Sequence, residues 1–349
     1  MDNLGPLSVT SLWNRNKDSL FIASSLSLSR NLKNFPFPSR LATSDKKHIY
    51  QLISSQLHRK NSHLKTAEGY TLCGNDKEWI RDFFLLQEPI NQLQHSEGIA
   101  IDAKAKILAL INAEDHLHLY STSPSNQLES GFNRILALEN KMNRSVDFAF
   151  SNRFGFLTSN PKYCGSALKI RAFLHLPLLL NKGLPRGDQQ ALLYSNFQGQ
   201  PYQDAEHTPS FFTGSILVLE NNPALGQTEE SALLSIQEQC EQFQHAETLL
   251  RNEMKNHPTC MIKNEIARHF GLLKHSWSLS HTELIDAITS MKLGIDLNLV
   301  SGHNHTLLNM ILMSSGKANL KKSLPDIEDI NHQRALQVQQ LLKRLRLNT

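Results

Sequence analysis

ILALINAEDHLHLY, residues 107–120, decides the fold. Ile107 to Ile111 and His116 to Tyr120 are short apolar runs on either side of the polar corner Asn-Ala-Glu-Asp-His, the pattern of strand, turn, strand. Working outward, Gly155 to Leu157, Ala172 to Leu176 and Ser215 to Glu220 read as further strands. Between them, Phe132 to Phe150 spaces Phe132, Ile135, Leu136, Leu138, Met142 and Val146 along one face of a helix. The expectation is an α+β sheet covered by helices.

Further on, Thr228 to Lys255 reads as one long charged helix, closed by His257 and Pro258, since proline disfavours helix in the residue before it. This places a domain boundary there, with residues 1–257 and 258–349 on its two sides. The second part reads as all helical, with amphipathic pieces at Glu283–Met291, Thr306–Met313 and Gln333–Arg346 separated by Ser, Gly, Asn and Pro.

Bulk numbers agree with two globular domains: 349 residues, 40% hydrophobic and 19% charged. The balance of 36 basic against 32 acidic residues leaves a net charge of +4, too small and too dispersed to indicate nucleic acid. The basic end, Lys343, Arg344 and Arg346, reads as a solvated helix face. Cys73, Cys164, Cys240 and Cys260 form no CxxC pair, which fits reduced thiols in a cytoplasm. MDNLGPLSVTSLW lacks the basic-then-apolar order of a secretory signal. The longest apolar run, Phe173 to Leu180, contains His175 and Pro177 and is far short of a membrane span.

Generic catalytic signatures are absent: there is no GxxxxGK[ST], GxGxxG, GxSxG or HExxH. Glu114, His116 and His118 alternate, so on a strand they would present a carboxylate and two imidazoles to one face, a metal-ligand pattern or a hydrogen-bonded sheet edge.

Several segments, in order, resemble the ATP:guanido phosphotransferase family and its bacterial protein-arginine kinase branch. They are SLWNRNKDSLFIASSLSLSRNLKNFPFP (11–38), LALINAEDHLHLYS (108–121), VDFAFSNRFGFLTSNPKYCGSALKIRAFLHLP (146–177) and LENNPALGQTEE (219–230). FGFLTSNPKYCGSALK is similar to the family's signature block, in which a strand leads into a Cys-Pro-Thr-Asn-x-Gly loop. The resemblance implies an antiparallel sheet flanked by helices that carries ATP, followed by a helical C-terminal domain. It also implies arginines gripping the nucleotide phosphates, a cysteine and acidic residues holding the guanidinium, and magnesium bridging the phosphates. That chemistry needs the charge, because phosphoryl transfer is mostly positioning and electrostatic stabilisation, and guanidinium forks match phosphate oxygens.

By the same resemblance, the S-x-R-x-R arginines fall on Ser25 and Ser27. In the NEEDHxR element Glu114, Asp115 and His116 are kept, and the phosphate-binding arginine becomes His118. In the signature loop the cysteine falls on Asn160, followed by Pro161, with Gly165 further on, and the block's last arginine becomes Lys169. Cys164 is four residues late and does not inherit the cysteine's role. A final arginine, from a mobile loop, falls on Gln203, and that loop's glutamate on Thr208, or on Glu206 with a two-residue shift. At roughly 1.5 to 3 kcal/mol per charge-assisted hydrogen bond, four lost arginines amount to about 6 kcal/mol or more, roughly four decades in affinity or rate. Arg30, Lys33, Arg153 or Lys162 would have to replace them from another direction.

KLGIDLNLV (292–300) and INHQRALQVQQLLKRL (330–345) are similar to the branch's C-terminal domain, whose R-D-x-x-R-A motif binds phosphoarginine. Arg334 and Ala335 match, while the first two positions fall on Ile330 and Asn331. An amphipathic helix packing through Leu336, Leu341, Leu342 and Leu345 explains the segment as well.

The expectation is a protein-arginine-kinase-like pseudokinase, acting as scaffold or regulatory partner without a cofactor. The alternative is an active kinase using ATP and Mg2+, with Glu114 orienting the guanidinium and Lys169 contacting phosphate, and a third reading is a phosphoarginine-binding module around Arg334. A zinc-containing adaptor protein and a homo-oligomer are implied by the resemblance alone, and neither membrane nor nucleic acid is expected as a partner.

Overall fold

The structure, a computed structural model, describes residues 16–87, 90–102, 106–124, 126–181, 197–201, 213–221, 226–323 and 328–348. These fall into two compact units, one from Ser24–Arg171 and Asn221–Ile236, the other from within Trp13–Ala23, Ala172–Glu220 and Gln237–Thr349.

The strands are β1 (Phe21–Arg30), β2 (Leu64–Glu68), β3 (Gly98–Asp102), β4 (Ile107–Ile111), β5 (Leu117–Ser123), β6 (Phe150–Ser151), β7 (Gly155–Phe156), β8 (Leu168–His175), β9 (Phe197–Pro201) and β10 (Ile216–Asn221). Strands β6 and β7 make a small hairpin, and the others form one sheet in the order β2-β3-β4-β5-β1-β8-β10-β9. The β2–β3, β3–β4, β4–β5 and β5–β1 pairs are antiparallel. The β4–β5 pairing matches Ile107 to Ser121 and Ile111 to Leu117, as the two apolar runs around the polar corner anticipate.

Three helices pack on the first unit's strands: α1 (Thr43–Lys60), α2 (Gly74–Phe84) and α3 (Leu128–Asn143). Helix α1 buries Ile49, Ile53 and Leu57, each a turn apart, while α3 buries Phe132, Ile135, Leu138 and Met142. Side chains alternate across a strand, so β1 has two unlike faces. Leu26 points toward α3, where a Cβ on Gly131 would lie 2.8 Å from its Cδ1. Ser25 points the other way, and its Oγ donates to the Phe84 carbonyl at the end of α2. Helices therefore flank this part of the sheet on both faces.

The helix expected over Phe132–Phe150 stops at Asn143. Residues 147–149 instead form an isolated antiparallel bridge, Phe148 opposite Leu32: Lys33 N–H donates to Asp147 O (3.0 Å) and Ala149 N–H to Asn31 O (2.7 Å). Pairing with a distant segment overrides the local helical spacing, as tertiary context commonly does.

The second unit contains α4 (Pro177–Asn181) and the helices α6 (Cys260–His275), α7 (His281–Asp296), α8 (His305–Ser314), α9 (Lys317–Ser323) and α10 (Ile330–Leu341), with α5 (Glu229–Asn256) leading into it. Starts are written in the sequence. Ser280 and Glu283 form a reciprocal capping box, Thr259 caps α6, Asn304 caps α8 and Asp329 caps α10. The segment is not purely helical, since Val300–Ser301 (β11) pairs with Arg346–Leu347 (β12). The apolar face expected on the last helix also differs: Leu342 and Leu345 are buried, but Leu336 is 46% exposed and Ala335 and Val338 take the inward positions.

At this unit's centre, Arg251 pairs with Glu247 (2.9 Å) and Asp296 and lies beside the buried His175. Lys292 is fully buried, donates to Asn309 Oδ1 and is pushed down to about 7 by burial and then by Arg251. Among the described residues, no helix is long and apolar enough to cross a membrane.

Candidate active site

The polar face of β1 and β5 forms the floor of a cleft. Ser25 lies opposite Thr122, Ser27 opposite Tyr120 and Ser29 opposite His118, so these side chains point to one side of the sheet. Above Ser27, Ser29 and His118 opens a cleft of about 230 Å³, walled by Gln87, Glu114, Asp115, Asn160, Tyr163 and Lys169. All belong to the first unit.

His118 is turned onto the protein. Its Nε2 lies 2.5 Å from Ser29 Oγ and 3.0 Å from Asp115 Oδ2, and its Nδ1 lies 2.9 Å from the Tyr120 hydroxyl. Asp115 in turn ties the β4–β5 turn to the signature loop: Oδ1 accepts from Asn31 Nδ2 and from the Ser159 backbone N–H, each at 2.6 Å. Burial alone would raise this carboxyl, but the bonds from His118, Asn31 and Ser159 together with the His118 charge hold it down to about 2. Asp115 is thus a fixed, fully satisfied carboxylate. His116 accepts from the Leu32 N–H through Nδ1, and burial lowers it to about 4, which keeps the ring neutral.

The signature loop holds its shape through its own bonds. Asn160 Oδ1 accepts from Lys162 N–H, and Thr158 Oγ1 donates to Asn160 O. Pro161 opens a short turn through Tyr163. Gly165 passes directly against Gly155, and a Cβ on Gly155 (φ +70°) would lie 2.6 Å from Gly165 O. Only glycine allows the two backbones that approach. Cys164 lies near Thr158, at 3.6 Å from its hydroxyl, and does not line the cleft.

The sequence-predicted positions separate clearly. Ser27, His118, Asn160, Lys169 and Glu114 meet in the cleft. Ser25 is on the same face but spends its hydroxyl on Phe84 O at 3.2 Å. Gln203, Glu206 and Thr208 lie outside the described residues. Ser29, Gln87 and Tyr163 are cleft residues that sequence reasoning missed; the alternation Ser25, Ser27, Ser29 contained the signal for the first. The Glu114–His116–His118 metal pattern does not form, because Glu114 sits in the turn and is exposed, and the carboxylate that meets His118 is Asp115. No metal-holding cluster of His, Cys, Asp and Glu occurs among the described residues.

Arg30 does not replace the absent arginines. It is an even-numbered residue of β1 and points away from the cleft, where its Nε pairs with Glu139 (3.0 Å) and its guanidinium lies 3.4 Å over the Phe156 ring. Arg153, over Phe154, and Lys33 are exposed outside the cleft lining, and Lys162 lies 5.9 Å from the Tyr163 ring. Among the described lining residues, Lys169 is the only lysine or arginine. Its Nζ donates to Gln87 Oε1 at 2.5 Å and lies 5.4 Å from the Tyr163 ring. To a nucleotide triphosphate the described lining offers one ammonium and no guanidinium fork. Arg334 sits elsewhere, 1% exposed, donating to the Ser315 and Leu279 carbonyls (both 2.9 Å) and to Asn331 Oδ1 (2.6 Å).

The sheet and its flanking helices define a phosphagen-kinase-type fold. Solved structures resemble it: a duplicated taurocyamine kinase from Schistosoma mansoni (TM-score 0.60, 23% identity, 76% of this chain and 39% of that one) and a lombricine kinase (TM-score 0.58, 16% identity, 71% of each chain). This chain thus spans about two-fifths of the duplicated kinase.

The sequence model described as "ATP:guanido phosphotransferase, C-terminal catalytic domain" matches residues 46–250, and that described as "Protein-arginine kinase McsB C-terminal domain" matches residues 259–349. A protein-arginine kinase of Chlamydia pneumoniae is 32% identical over 91% of this chain and 90% of its own. One of Clostridium novyi is 27% identical over 90% of this chain and 93% of its own. The chain belongs to the ATP:guanido phosphotransferase family, in its protein-arginine kinase branch.

Proposed function

We propose that this protein is an arginine-kinase-like pseudokinase that keeps the guanidinium side of the site and has lost the phosphate side. It would act as a scaffold or regulatory partner toward arginine-bearing proteins. The observation that carries this is the division of the cleft: Ser27 and His118, at family arginine positions, offer no charged fork, while the Glu114 carboxylate remains exposed in the cleft wall. Among the described residues no side chain partners that carboxylate, which suits it to accept a guanidinium. A zinc-containing adaptor or a second copy of the chain as partner rests on family analogy alone.

Calorimetric titration with Mg-ATP, with Lys169→Ala as control, tests the reading. Absence of saturable heat and of thermal stabilisation is expected. Saturable binding abolished by Lys169→Ala would instead favour an active ATP-dependent protein arginine kinase. That second reading draws on Lys169 and Glu114 lining one cleft, and an arginine phosphorylation assay would follow.

A further inference from the structure

Glu114 lines a second depression as well. With Ala113 it walls a groove of about 490 Å³, a size typical of ligand sites. Its floor is apolar, made by Ile90, Leu93 and Leu110. The exposed side chains of Gln92 and Gln94 stand at the rim, and a Lys46–Glu97 ion pair (2.9 Å) stands in its wall. The groove is rigidly joined to the turn. Asn112, fully buried and left-handed at φ 54°, donates from Nδ2 to the carbonyls of Lys46 and Ser96, both at 2.8 Å. One side chain thus ties the start of α1, the segment after Ile90 and the corner that carries Glu114.

We propose that this groove binds an extended segment of an arginine-bearing protein, with the arginine guanidinium on Glu114 and an adjacent apolar side chain on the Ile90–Leu93–Leu110 floor. The occupant follows from complementarity: a carboxylate with no side-chain partner among the described residues lines the groove, apolar side chains line it as well, and amides at the rim can bond a peptide backbone. Glu114 lines both depressions. The inference rests on the reading that Glu114 receives a guanidinium, and adds that the residues flanking the arginine select the partner.

Fluorescence anisotropy without nucleotide tests it, using labelled hexapeptides with a central arginine flanked by leucines, the same peptide flanked by glycines, and a lysine counterpart. The leucine-flanked arginine peptide should bind about tenfold tighter than the glycine-flanked one, in line with burial of an aliphatic side chain. Glu114→Gln should weaken it by at least roughly tenfold, as loss of a charge-assisted bond does. Ala113→Trp, which fills the groove beside Glu114, should do the same with the melting temperature unchanged. If Ala113→Trp does not fold, Gln94→Arg at the exposed rim replaces it, since a cation there repels the guanidinium. Equal binding of leucine- and glycine-flanked peptides, or binding untouched in a folded groove variant, overturns the proposal. The two readings fail separately: saturable Mg-ATP binding would remove the pseudokinase and leave the groove, whereas flank-independent arginine binding would remove the groove and leave the pseudokinase.

Discussion

The Asp115 carboxylate meets the His118 ring at 3.0 Å, turning a family phosphate-binding position inward onto the protein. With Asn31, Ser159 and Tyr120, this pair makes a closed polar network beneath the cleft, and its members set the chemistry of the site as much as the missing arginines do.

That network should make the protein acid-labile. His116, lowered from 6.5 to about 4 by burial, stays neutral in the folded protein while the unfolded chain takes up a proton. Its contribution is full above pH about 6.5, declines as pH falls toward 4 and amounts to about 3 kcal/mol. Asp115, held at about 2, contributes about 2 kcal/mol that is present above pH about 4 and lost as pH falls through 2. Urea unfolding at pH 7.5, 6, 5 and 4 should show stability falling over this range, and His116→Gln should flatten the slope. An unchanged slope would remove His116 as its origin.

Arg30 and Glu139 form a buried ion pair, with burial lowering the Arg30 guanidinium despite its partner. Glu139→Gln or Arg30→Met alone should cost about 3 kcal/mol or more by leaving a charge buried, whereas Arg30→Met with Glu139→Leu should recover most of it. Denaturant midpoints of the three variants provide the check, and a double variant no better than the singles would contradict it.

Restoring a fork should restore phosphate binding where the side chain can reach the cleft. Ser27→Arg is expected to raise Mg-ATP affinity roughly ten- to hundredfold, the worth of one charge-assisted bond. His118→Arg should gain less, because Asp115 lies beside that position and would take the guanidinium for itself. Calorimetry on both variants distinguishes the positions; equal gains would mean that Asp115 does not compete.

Arg334 fastens three segments of the second unit through Ser315, Leu279 and Asn331. Arg334→Ala should therefore destabilise the protein by about 3 kcal/mol or more, leaving buried acceptors without a donor. Free phosphoarginine should leave the wild-type melting temperature unchanged. A phosphoarginine-dependent rise, absent in a folded Arg334→Lys variant, would instead support the binding-module reading.

Much of the fold was legible because its signals are local. The β4 and β5 runs and the long helix read over Thr228–Lys255 depend on residues within a turn or two of each other. The Phe132–Phe150 reading overran because the pairing of 147–149 with 31–33 lies far away in the chain. Leu336 was misjudged because helical spacing gives a face but not which neighbours cover it.

By itself, the sequence determined the family, the long helix before Pro258 and the absence of arginine at Ser25, Ser27 and His118. Only the tertiary structure decided what the remaining polar groups do. Asn31 and Asp115 are 84 residues apart, and the parity of β1 sends Arg30 to Glu139 while Ser27 and Ser29 line the cleft. Periodicity and capping are properties of near neighbours. The partner of a buried charge is chosen by strand register and packing, which bring distant residues together, and no local pattern encodes that choice.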